Sequence, residues 1–434
     1  MEKKMDKITC RYSKKCGGCS HIGEDYNSYL KTKEDEINNV LKDHIGEDFI
    51  GIEPGRIKLL GMKEPYHYRH KVNAAFARTR KGEIISGIYE EGTHRVIDIT
   101  ECLIENEKAD KIVQDIKGML KSFKIKIYDE DLETGLLRHV MVRVSRSTGE
   151  VMVILVSASH IFPSKNNFVK ALREKHPEVS TVVLNVNTKH TSMVLGDRDI
   201  VLYGKGYITD RLCGTDFKLS PRSFFQVNPE MTERIYRTAI DFAKLKKDTL
   251  VIDAYSGIGT ISLLAAKSSS NVIGVELNSE AVKDARKNAQ MNKIDNVRFV
   301  RDDTGKYMLR YVNGDDTYEE DDEEEYITAA KGAARVKNEN RTERARKSEP
   351  AEIKEKVVFM DPPRSGSSLE FLEAVTEFSP DRIVYISCNP ETQARDVSYL
   401  KEKDYVVRRG IAFDQFPWTR DAECVLLLER RKNL

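Results

Sequence analysis

The regular alternation of short apolar runs with helical segments in the C-terminal half constrains the fold of this chain more than any other feature. Helical periodicity separates the runs, as in residues 281–292. Strands that alternate with helices are typical of a mostly parallel, doubly wound α/β sheet. We therefore predict such a domain over residues 216–434. Its strands are expected at residues 250–254, 272–276, 297–300, 357–361, 383–387 and 425–428.

The N-terminal half has a different pattern. Apolar residues in 24–42 are spaced for one face of a helix. Further along, β-forming residues cluster in runs separated by turn residues, which favours an antiparallel or mixed sheet. We therefore predict a separate α+β domain over residues 1–215. Its strands are expected near residues 72–76, 139–144, 151–156 and 181–185.

Charge and hydropathy exclude some classes of protein. No run of about 18 apolar residues occurs and the start of the chain leads into no apolar stretch, so we expect a cytoplasmic protein without a membrane partner. The net charge is only +1, but residues 315–356 hold 14 acidic and 9 basic side chains. Without that segment the chain is mildly basic, which is compatible with RNA. Residues 313–355 are too polar to bury much surface, so we predict a disordered insertion there.

A strand followed by a glycine turn opens the C-terminal domain. The sequence DAYSGIG covers residues 253–259, and Glu276 ends the next apolar run. Glycines allow a ligand to approach the backbone closely, and a carboxylate at the end of the second strand can bind ribose hydroxyls. The spacing is not that of the dinucleotide motif, and the lysine of a phosphate-binding loop is absent. The pattern therefore favours S-adenosylmethionine over NAD or ATP, with Asp302 or Asp303 on the adenine side.

Three further residues lie where the strands of this domain end or begin. Asp361 follows the fourth apolar run, Cys388 follows the fifth, and Glu423 precedes the last. Ligands of doubly wound sheets bind beyond the carboxyl ends of the strands. A thiolate there can act as a nucleophile and a carboxylate as a general base. The alternatives are a cysteine buried for packing and an exposed surface carboxylate.

The seven cysteines are an odd number, which argues against a disulfide framework in a cytosolic chain. Cys10, Cys16 and Cys19 have the spacing C-x5-C-x2-C, and Cys102 can supply a fourth thiolate. Four thiolates suit either zinc or a [4Fe-4S] cluster, and spacing does not choose between them. Cys213 and Cys424 are expected to be free structural cysteines.

Several motifs in order along nearly the whole chain outside the insertion carry a family resemblance. The chain resembles the bacterial RNA uracil-5-methyltransferases, in particular the iron-sulfur type that acts on 23S ribosomal RNA. The motifs are YRHKV at 68–72, DITEC at 98–102, GLLRH at 135–139, FFQVN at 224–228, DPPRSG at 361–366, SCNP at 387–390 and FP at 416–417.

The resemblance implies a role for each matching residue. It assigns Gln226, Tyr255, Glu276 and Asp361 to the S-adenosylmethionine site. It makes Cys388 the nucleophile that attacks carbon 6 of uracil, and Glu423 the base that removes the proton from carbon 5. It favours a [4Fe-4S] cluster on Cys10, Cys16, Cys19 and Cys102 over zinc. The uridine is expected to leave its stack, which is easiest in loops and bulges of folded RNA.

The chain departs from the family pattern in two places. Trp418 and Asp421 stand where the family has histidines beside the threonine of the FP motif. Cys10 comes too early for the small N-terminal oligonucleotide-binding barrel of many members, so we expect none.

Three alternatives stay open. The first is the same chemistry on the T-loop uridine of transfer RNA, although members with that substrate usually lack the cluster. The second is a non-catalytic RNA-binding assembly factor. A cytosine-5 RNA methyltransferase is less consistent with the sequence, because Pro362 and Pro363 occupy the place of its characteristic cysteine. We expect a monomer.

Overall fold

The computed structural model describes residues 8–45, 49–51, 55–90, 92–189, 193–315 and 353–431. Two large sheets organise this part of the chain. Within these ranges no helix is both long enough and apolar enough to cross a membrane.

The first sheet has eight strands in the order β1-β16-β17-β15-β14-β11-β12-β13, with strands and helices numbered along the chain. All neighbours pair in parallel except β17, which runs antiparallel to both β15 and β16. Its strands are β1 (Lys58–Leu60), β11 (Thr249–Asp253), β12 (Asn271–Glu276), β13 (Val297–Arg301), β14 (Glu355–Met360), β15 (Arg382–Ser387), β16 (Tyr405–Phe413) and β17 (Glu423–Arg430).

Helices cover both faces of this sheet, because alternate side chains of its strands are apolar on both sides. Val251 of β11 packs in one core with α4, α5 and α6, whereas Ile252 packs in the other with α1, α7, α8 and α9. These helices are α1 (Tyr26–Leu41), α4 (Pro229–Ala243), α5 (Thr260–Ala265), α6 (Ser279–Met291), α7 (Thr304–Val312), α8 (Leu369–Phe378) and α9 (Pro390–Glu402). A 3₁₀ turn, Lys42–His44, follows α1.

The second sheet has seven strands in the order β4-β3-β2-β5-β6-β7-β8. Only β6 and β7 pair in parallel. Its strands are β2 (Lys71–Arg78), β3 (Ile84–Tyr89), β4 (Val96–Asp98), β5 (Leu137–Val144), β6 (Val151–Ser157), β7 (Val179–Val186) and β8 (Arg198–Tyr203). Helices α2 (Glu107–Met119) and α3 (Lys165–Lys175) pack on one face in a core of their own. A hairpin of β9 (Ile208–Leu212) and β10 (Thr215–Leu219) leads to the first sheet.

The predicted parallel sheet and the predicted mixed sheet are both present. Several parts of the architecture have no counterpart in the expectations, among them strands β3, β4 and β8 and the β9–β10 hairpin. Strand β16 was not predicted, and β1 pairs with it, so a short segment of the N-terminal half completes the C-terminal sheet. The division of the chain at residue 215 stays a prediction. Of the predicted insertion, residues 316–352 lie outside the described residues, and Glu355 already belongs to β14.

Candidate functional site

The carboxyl ends of the parallel strands bring the predicted catalytic residues to one edge of the eight-stranded sheet. Asp361 directly follows β14 and Cys388 directly follows β15. Glu423 is the first residue of β17, which runs antiparallel to β15 and pairs Ser387 with Cys424. The continuation of that register places residue 388 next to residue 423, because residues opposite each other in an antiparallel pair have Cβ atoms about 5 Å apart.

Cys388 and Glu423 differ in burial, as expected for a nucleophile that must reach a substrate and a base that is shielded from water. Glu423 is only 3% exposed, so it is not a surface carboxylate. Its Oε2 atom has no hydrogen-bond partner within the described part of the chain. Cys388 is half-buried, so its sulfur is not sealed in packing. The site therefore has an accessible thiol beside a desolvated acid.

Burial and nearby negative charge raise the pKa values of Cys388, Asp361 and Glu423. Burial raises the pKa of the Cys388 thiol to about 11, and the nearby Glu423 and Asp361 carboxylates add to the shift. Burial also raises the pKa of Asp361 to about 7, with a contribution from the charge of Asp253. The pKa of Glu423 is raised well above its usual range, first by burial and then by Asp361. A cationic ligand would relieve the repulsion between these acids.

The glycine turn after β11 folds as its sequence predicts. Gly257 and Gly259 have φ angles of 52° and 85°, which an L side chain rarely adopts. A Cβ atom on Gly259 would lie 2.6 Å from Cζ of Phe299, so only glycine fits there. The Glu276 carboxylate accepts hydrogen bonds from the Gly257 backbone N–H at 3.0 Å and the Asn278 N–H at 2.7 Å. The turn and the second strand thus form one wall of a site.

A cavity of about 340 Å³ lies against that wall. Tyr255 and Glu276 line it, and so do Asp302 and Asp303. Gln226 and Asp361 are not among its lining residues; the Gln226 Oε1 atom instead accepts a hydrogen bond from Nε2 of Gln415 at 3.3 Å. The structure therefore brings Tyr255 and Glu276 together in one cavity and leaves the other two residues near the catalytic strand ends. The remaining lining comes from residues Ala254, Val275, Leu277, Thr304, Gly305, Pro363, Gly366, Ser368 and Phe371.

Several buried polar atoms in the loops and strand ends of this sheet have no hydrogen-bond partner among the described residues. They include Asp253 Oδ1, Ser256 Oγ, Gln415 Oε1 and Glu423 Oε2. An unpaired buried polar atom costs about 1–3 kcal/mol, so proteins rarely leave several together without a ligand. Together with the acidic cluster, these atoms fit a polar ligand that carries positive charge. The sulfonium and the amino acid portion of S-adenosylmethionine have that chemistry.

The segment before Glu423 is anchored by contacts that the sequence did not reveal. Trp418 is fully buried, adopts a φ of 70°, and donates from Nε1 to the Pro65 carbonyl at 2.8 Å. The buried Lys33 ammonium contacts the Asp414 carboxylate at 2.6 Å and the Thr419 carbonyl at 3.0 Å. Asp421 forms an ion pair with Arg364 of the DPPR loop. The positions at which the family has histidines thus serve packing and loop closure in this chain.

The four cysteines predicted as ligands line a second cavity, of about 140 Å³. Burial raises the pKa of the Cys19 thiol to about 12, and the charges of Cys16 and Cys10 add to the shift, so these three sulfurs are close neighbours. In the described ranges no group of three or more His, Cys, Asp or Glu side chains has an arrangement that could hold a metal ion. Cys213 and Cys424 lie apart from this cavity.

The loop that carries Cys10, Cys16 and Cys19, here called the cysteine loop, contacts the segment that leads to Glu423. The Ser20 and His21 backbone N–H groups both donate to the Trp418 carbonyl, at 2.9 and 3.1 Å. The rings of Tyr29 and Tyr66 stack on the indole of Trp418. A change in the cysteine loop can therefore reach the catalytic segment through one residue.

Solved structures identify the class of fold. A Pyrococcus abyssi tRNA (uracil-54, C5)-methyltransferase in complex with S-adenosyl-L-homocysteine matches 95% of this chain and 86% of its own, with a TM-score of 0.69 and 24% identity. The fold is thus that of an α/β S-adenosylmethionine-dependent methyltransferase, and that part of the predicted architecture is confirmed.

Sequence comparison then gives the family. The family model described as tRNA (uracil-5-)-methyltransferase matches residues 25–312 and 325–431, so the chain belongs to this family of RNA uracil-5-methyltransferases. The chain is also 37% identical over 432 residues to an uncharacterized RNA methyltransferase of Caldanaerobacter subterraneus, covering 99% of this chain and 86% of that one. A similar protein of Halalkalibacterium halodurans is 36% identical over 422 residues, covering 97% and 82%. The prediction of an S-adenosylmethionine-dependent RNA methyltransferase is confirmed.

Proposed function

We propose that the protein methylates carbon 5 of a specific uridine in 23S ribosomal RNA through a covalent bond between Cys388 and carbon 6 of the base. The observation that carries this proposal is the pairing of an accessible thiol with a buried carboxylate at the edge of the sheet. Ser387 and Cys424 are register partners, so Cys388 and Glu423 belong to neighbouring strands at the same level.

The chemistry needs both side chains because carbon 5 of uracil is a poor nucleophile. The Cys388 thiolate forms a sulfur–carbon bond at carbon 6, and the electrons of the ring double bond move toward carbon 5 and the adjacent carbonyl. Bound S-adenosylmethionine supplies the methyl group from its sulfonium to carbon 5. Glu423 then takes the proton from carbon 5, the double bond re-forms, and the sulfur–carbon bond breaks to release the Cys388 thiolate.

The burial of Glu423 has a chemical consequence. Burial raises the pKa of Glu423 well above its usual range, so its carboxylate is a stronger base once it is ionised. A positive charge bound beside it favours the ionised form. We propose that Gln226, Tyr255, Glu276 and Asp361 bind S-adenosylmethionine, with Glu276 on the ribose hydroxyls. The Glu276 oxygens already accept two backbone N–H groups and retain lone pairs for such bonds.

The second cavity has the donors that a [4Fe-4S] cluster uses, because four cysteines line its volume of about 140 Å³. In the described ranges their side chains are not arranged as a metal site. Thiolates are the usual ligands of such clusters. We propose that Cys10, Cys16, Cys19 and Cys102 hold the cluster. There it would fix the loop that contacts Trp418, and the transfer chemistry would not run through it.

The choice of substrate depends on these cysteines. The resemblance to the iron-sulfur type favours 23S ribosomal RNA, whereas the structural neighbour from P. abyssi acts on uracil-54 of tRNA, which supports the alternative substrate. A non-catalytic assembly factor is disfavoured by the juxtaposition of Cys388 and Glu423. We keep 23S ribosomal RNA as the proposed substrate.

An assay with both RNAs tests the proposal. Full-length protein is incubated with labelled S-adenosylmethionine and transcripts of 23S ribosomal RNA or tRNA, and 5-methyluridine is mapped by mass spectrometry. We expect methylation of the ribosomal transcript only. In RNA made with 5-fluorouridine, the fluorine cannot leave as a proton, so a protein–RNA adduct stable to a denaturing gel should form. Methylation of tRNA alone would reject the proposed substrate, and absence of the adduct would reject the covalent mechanism.

A further inference from the structure

A third cavity, of about 290 Å³, lies on the seven-stranded sheet, on the face opposite α2 and α3. Three aromatic rings surround it. The ring of Tyr89 lies 6.1 Å from that of His139 and 6.3 Å from that of His94, in edge-on arrangements. Met193, which is 68% exposed, also lines the cavity. Glu130 and Arg138, which form an ion pair, also line the cavity, so it combines aromatic and charged surfaces and is partly accessible to solvent.

Polar atoms on the floor of this cavity lack partners. His139 is only 7% exposed, yet its Nδ1 has no hydrogen-bond partner in the described structure, and neither has Oδ1 of Asn73. Both residues line the cavity. Burial and the charge of Arg138 lower the pKa of His139 to about 4, so its ring is neutral and has one donor and one acceptor nitrogen. The cavity thus combines aromatic surfaces with unused hydrogen-bonding groups.

Positive charge lies beside the cavity on the same face of the sheet. Lys71 and Arg143 are register partners on β2 and β5, two residues along from Asn73 and Met141. Arg143 is buried and its guanidinium donates to the Pro221 and Ser223 carbonyls. Lys71 is partly exposed and forms no ion pair with an acid in the described ranges. Burial lowers the pKa of Lys71 to about 8, and the charges of Arg143 and Arg69 add to the shift. An anion beside Lys71 would offset this positive charge.

This charge connects the cavity to the catalytic end of the molecule. The Arg143 guanidinium donates to the Ser223 carbonyl at 2.5 Å, and the neighbouring Phe224 is 67% exposed. The His70 backbone N–H donates to the Val227 carbonyl at 2.8 Å. Asn73 lies two residues beyond Lys71, or about 7 Å along a strand. The segment that carries Gln226 is therefore bonded through Arg143 and His70 to the strands that form the cavity, and Lys71 lies between them.

We propose that this cavity is a second nucleotide site, which binds an unpaired base of the RNA substrate while the partly exposed Lys71 binds its phosphate. Unpaired bases stack on aromatic side chains and use their edges for hydrogen bonds, which is the chemistry that Tyr89, His139 and Asn73 offer. The inference rests on the proposed function, because it assumes an RNA substrate. It adds that the protein binds a nucleotide separate from the methylated uridine.

Equilibrium binding without S-adenosylmethionine tests this proposal. The probes are a fluorescein-labelled single-stranded RNA of 12 nucleotides with mixed sequence and a duplex of the same length. Tyr89→Ala should weaken single-strand binding about tenfold, in line with the loss of one base–aromatic stack. His139→Phe, which keeps a ring but removes both nitrogens, should weaken it about fivefold. Duplex binding should change less than twofold in either variant.

Controls separate a local loss of binding from general damage. Tyr203→Ala removes an aromatic side chain that packs against Arg173 of α3 on the helix-covered face, and it should leave binding within twofold. Lys71→Met should reduce the slope of log affinity against log salt by about 1, whereas Lys170→Met on the exposed side of α3 should not. Circular dichroism verifies that each variant is folded.

A second readout does not depend on substitutions. Single-stranded RNA with 4-thiouridine is crosslinked to the wild-type protein by light, and adducts are mapped by mass spectrometry. Adducts at Tyr89, His94 or Met193 are expected. Adducts only elsewhere, or unchanged affinity in both Tyr89→Ala and His139→Phe, would overturn the second site while leaving the adduct test of Cys388 unaffected. A wild-type protein that binds neither RNA would instead reject the proposed function itself.

Discussion

Two groups of cysteines occupy contrasting environments in this molecule. Cys388 stands alone at the end of a parallel strand, and the groups that shift its titration are the carboxylates of Glu423 and Asp361. The four cysteines predicted as ligands share one cavity, in which three of them are charged neighbours of each other and Glu105 lies beside them. Burial raises the pKa of thiols in both places, so the pKa alone does not distinguish a nucleophile from a ligand. The number of thiols does, because a single accessible thiol can act as a nucleophile, whereas several thiols in one cavity can share a metal centre.

The largest expected effect comes from the removal of the isolated thiol. Cys388→Ala should reduce methyl transfer at least about 10⁴-fold, because no other group can activate carbon 6 of the base. RNA affinity should stay within threefold, since the side chain is small and half-buried. Turnover is measured with labelled S-adenosylmethionine, and affinity is measured by filter binding. Cys213→Ala, at a half-buried cysteine outside both sites, is the matched control. Undiminished turnover in Cys388→Ala would show that Cys388 is not the nucleophile.

The acid beside that thiol should have the next largest effect. Glu423→Gln should lower turnover about 10²- to 10⁴-fold, the usual contribution of a general base. Because the bond between Cys388 and carbon 6 forms before the proton is removed, the variant should accumulate a protein–RNA adduct on a denaturing gel. Glu429→Gln, near the far end of the same strand, serves as the control. Loss of turnover without any adduct would assign Glu423 to an earlier step or to a structural role.

Removal of one cysteine from the second cavity should reduce activity less than removal of Cys388 or Glu423. Protein purified without oxygen is expected to carry about four irons per chain, and Cys16→Ser should lose most of them. Methyl transfer should fall only about tenfold, mainly through a higher KM for RNA, because the loop reaches the catalytic segment through backbone bonds to the Trp418 carbonyl. Adduct formation with 5-fluorouridine RNA should persist. A variant as inactive as Cys388→Ala would show that the two groups of thiols are not separable.

Local sequence patterns predicted much of this arrangement. The strand positions, the glycine turn and the placement of residues 361 and 388 after strands follow from periodicity and from short-range rules. Two features depended on contacts between distant segments and could not be read from the chain. Strand β1 pairs with β16 across some 350 residues, and Lys33 is buried against Asp414. No local signal marks either contact, because each partner finds its environment only in the folded molecule.

The third cavity, on the seven-stranded sheet, illustrates the same limit. The motif GLLRH, which includes His139, contributes to the family resemblance but indicates no chemistry by itself. His139 lines the cavity because the strand register sets it opposite Ala75 and because the neighbouring strand carries Tyr89. Antiparallel pairing across three strands brings these residues to one face, whereas in sequence they are about 50 residues apart.

The smallest expected effect is a change in the pH dependence of alkylation at Cys388, with Cys213 as the reference thiol. Cys388 is protonated at neutral pH, so its alkylation by iodoacetamide should accelerate about tenfold per pH unit until the pH approaches about 11. Glu423→Gln removes a negative charge that raises this pKa, so the whole profile of Cys388 should move to lower pH by about one unit. Cys213, whose pKa of about 11 depends on burial and on Arg237, Glu233 and Lys267, should not move. Peptide mass spectrometry follows both thiols in one sample. An equal shift at both would mean that Glu423→Gln loosens the fold, whereas a shift at Cys388 alone would show that the carboxylate acts directly on the neighbouring sulfur.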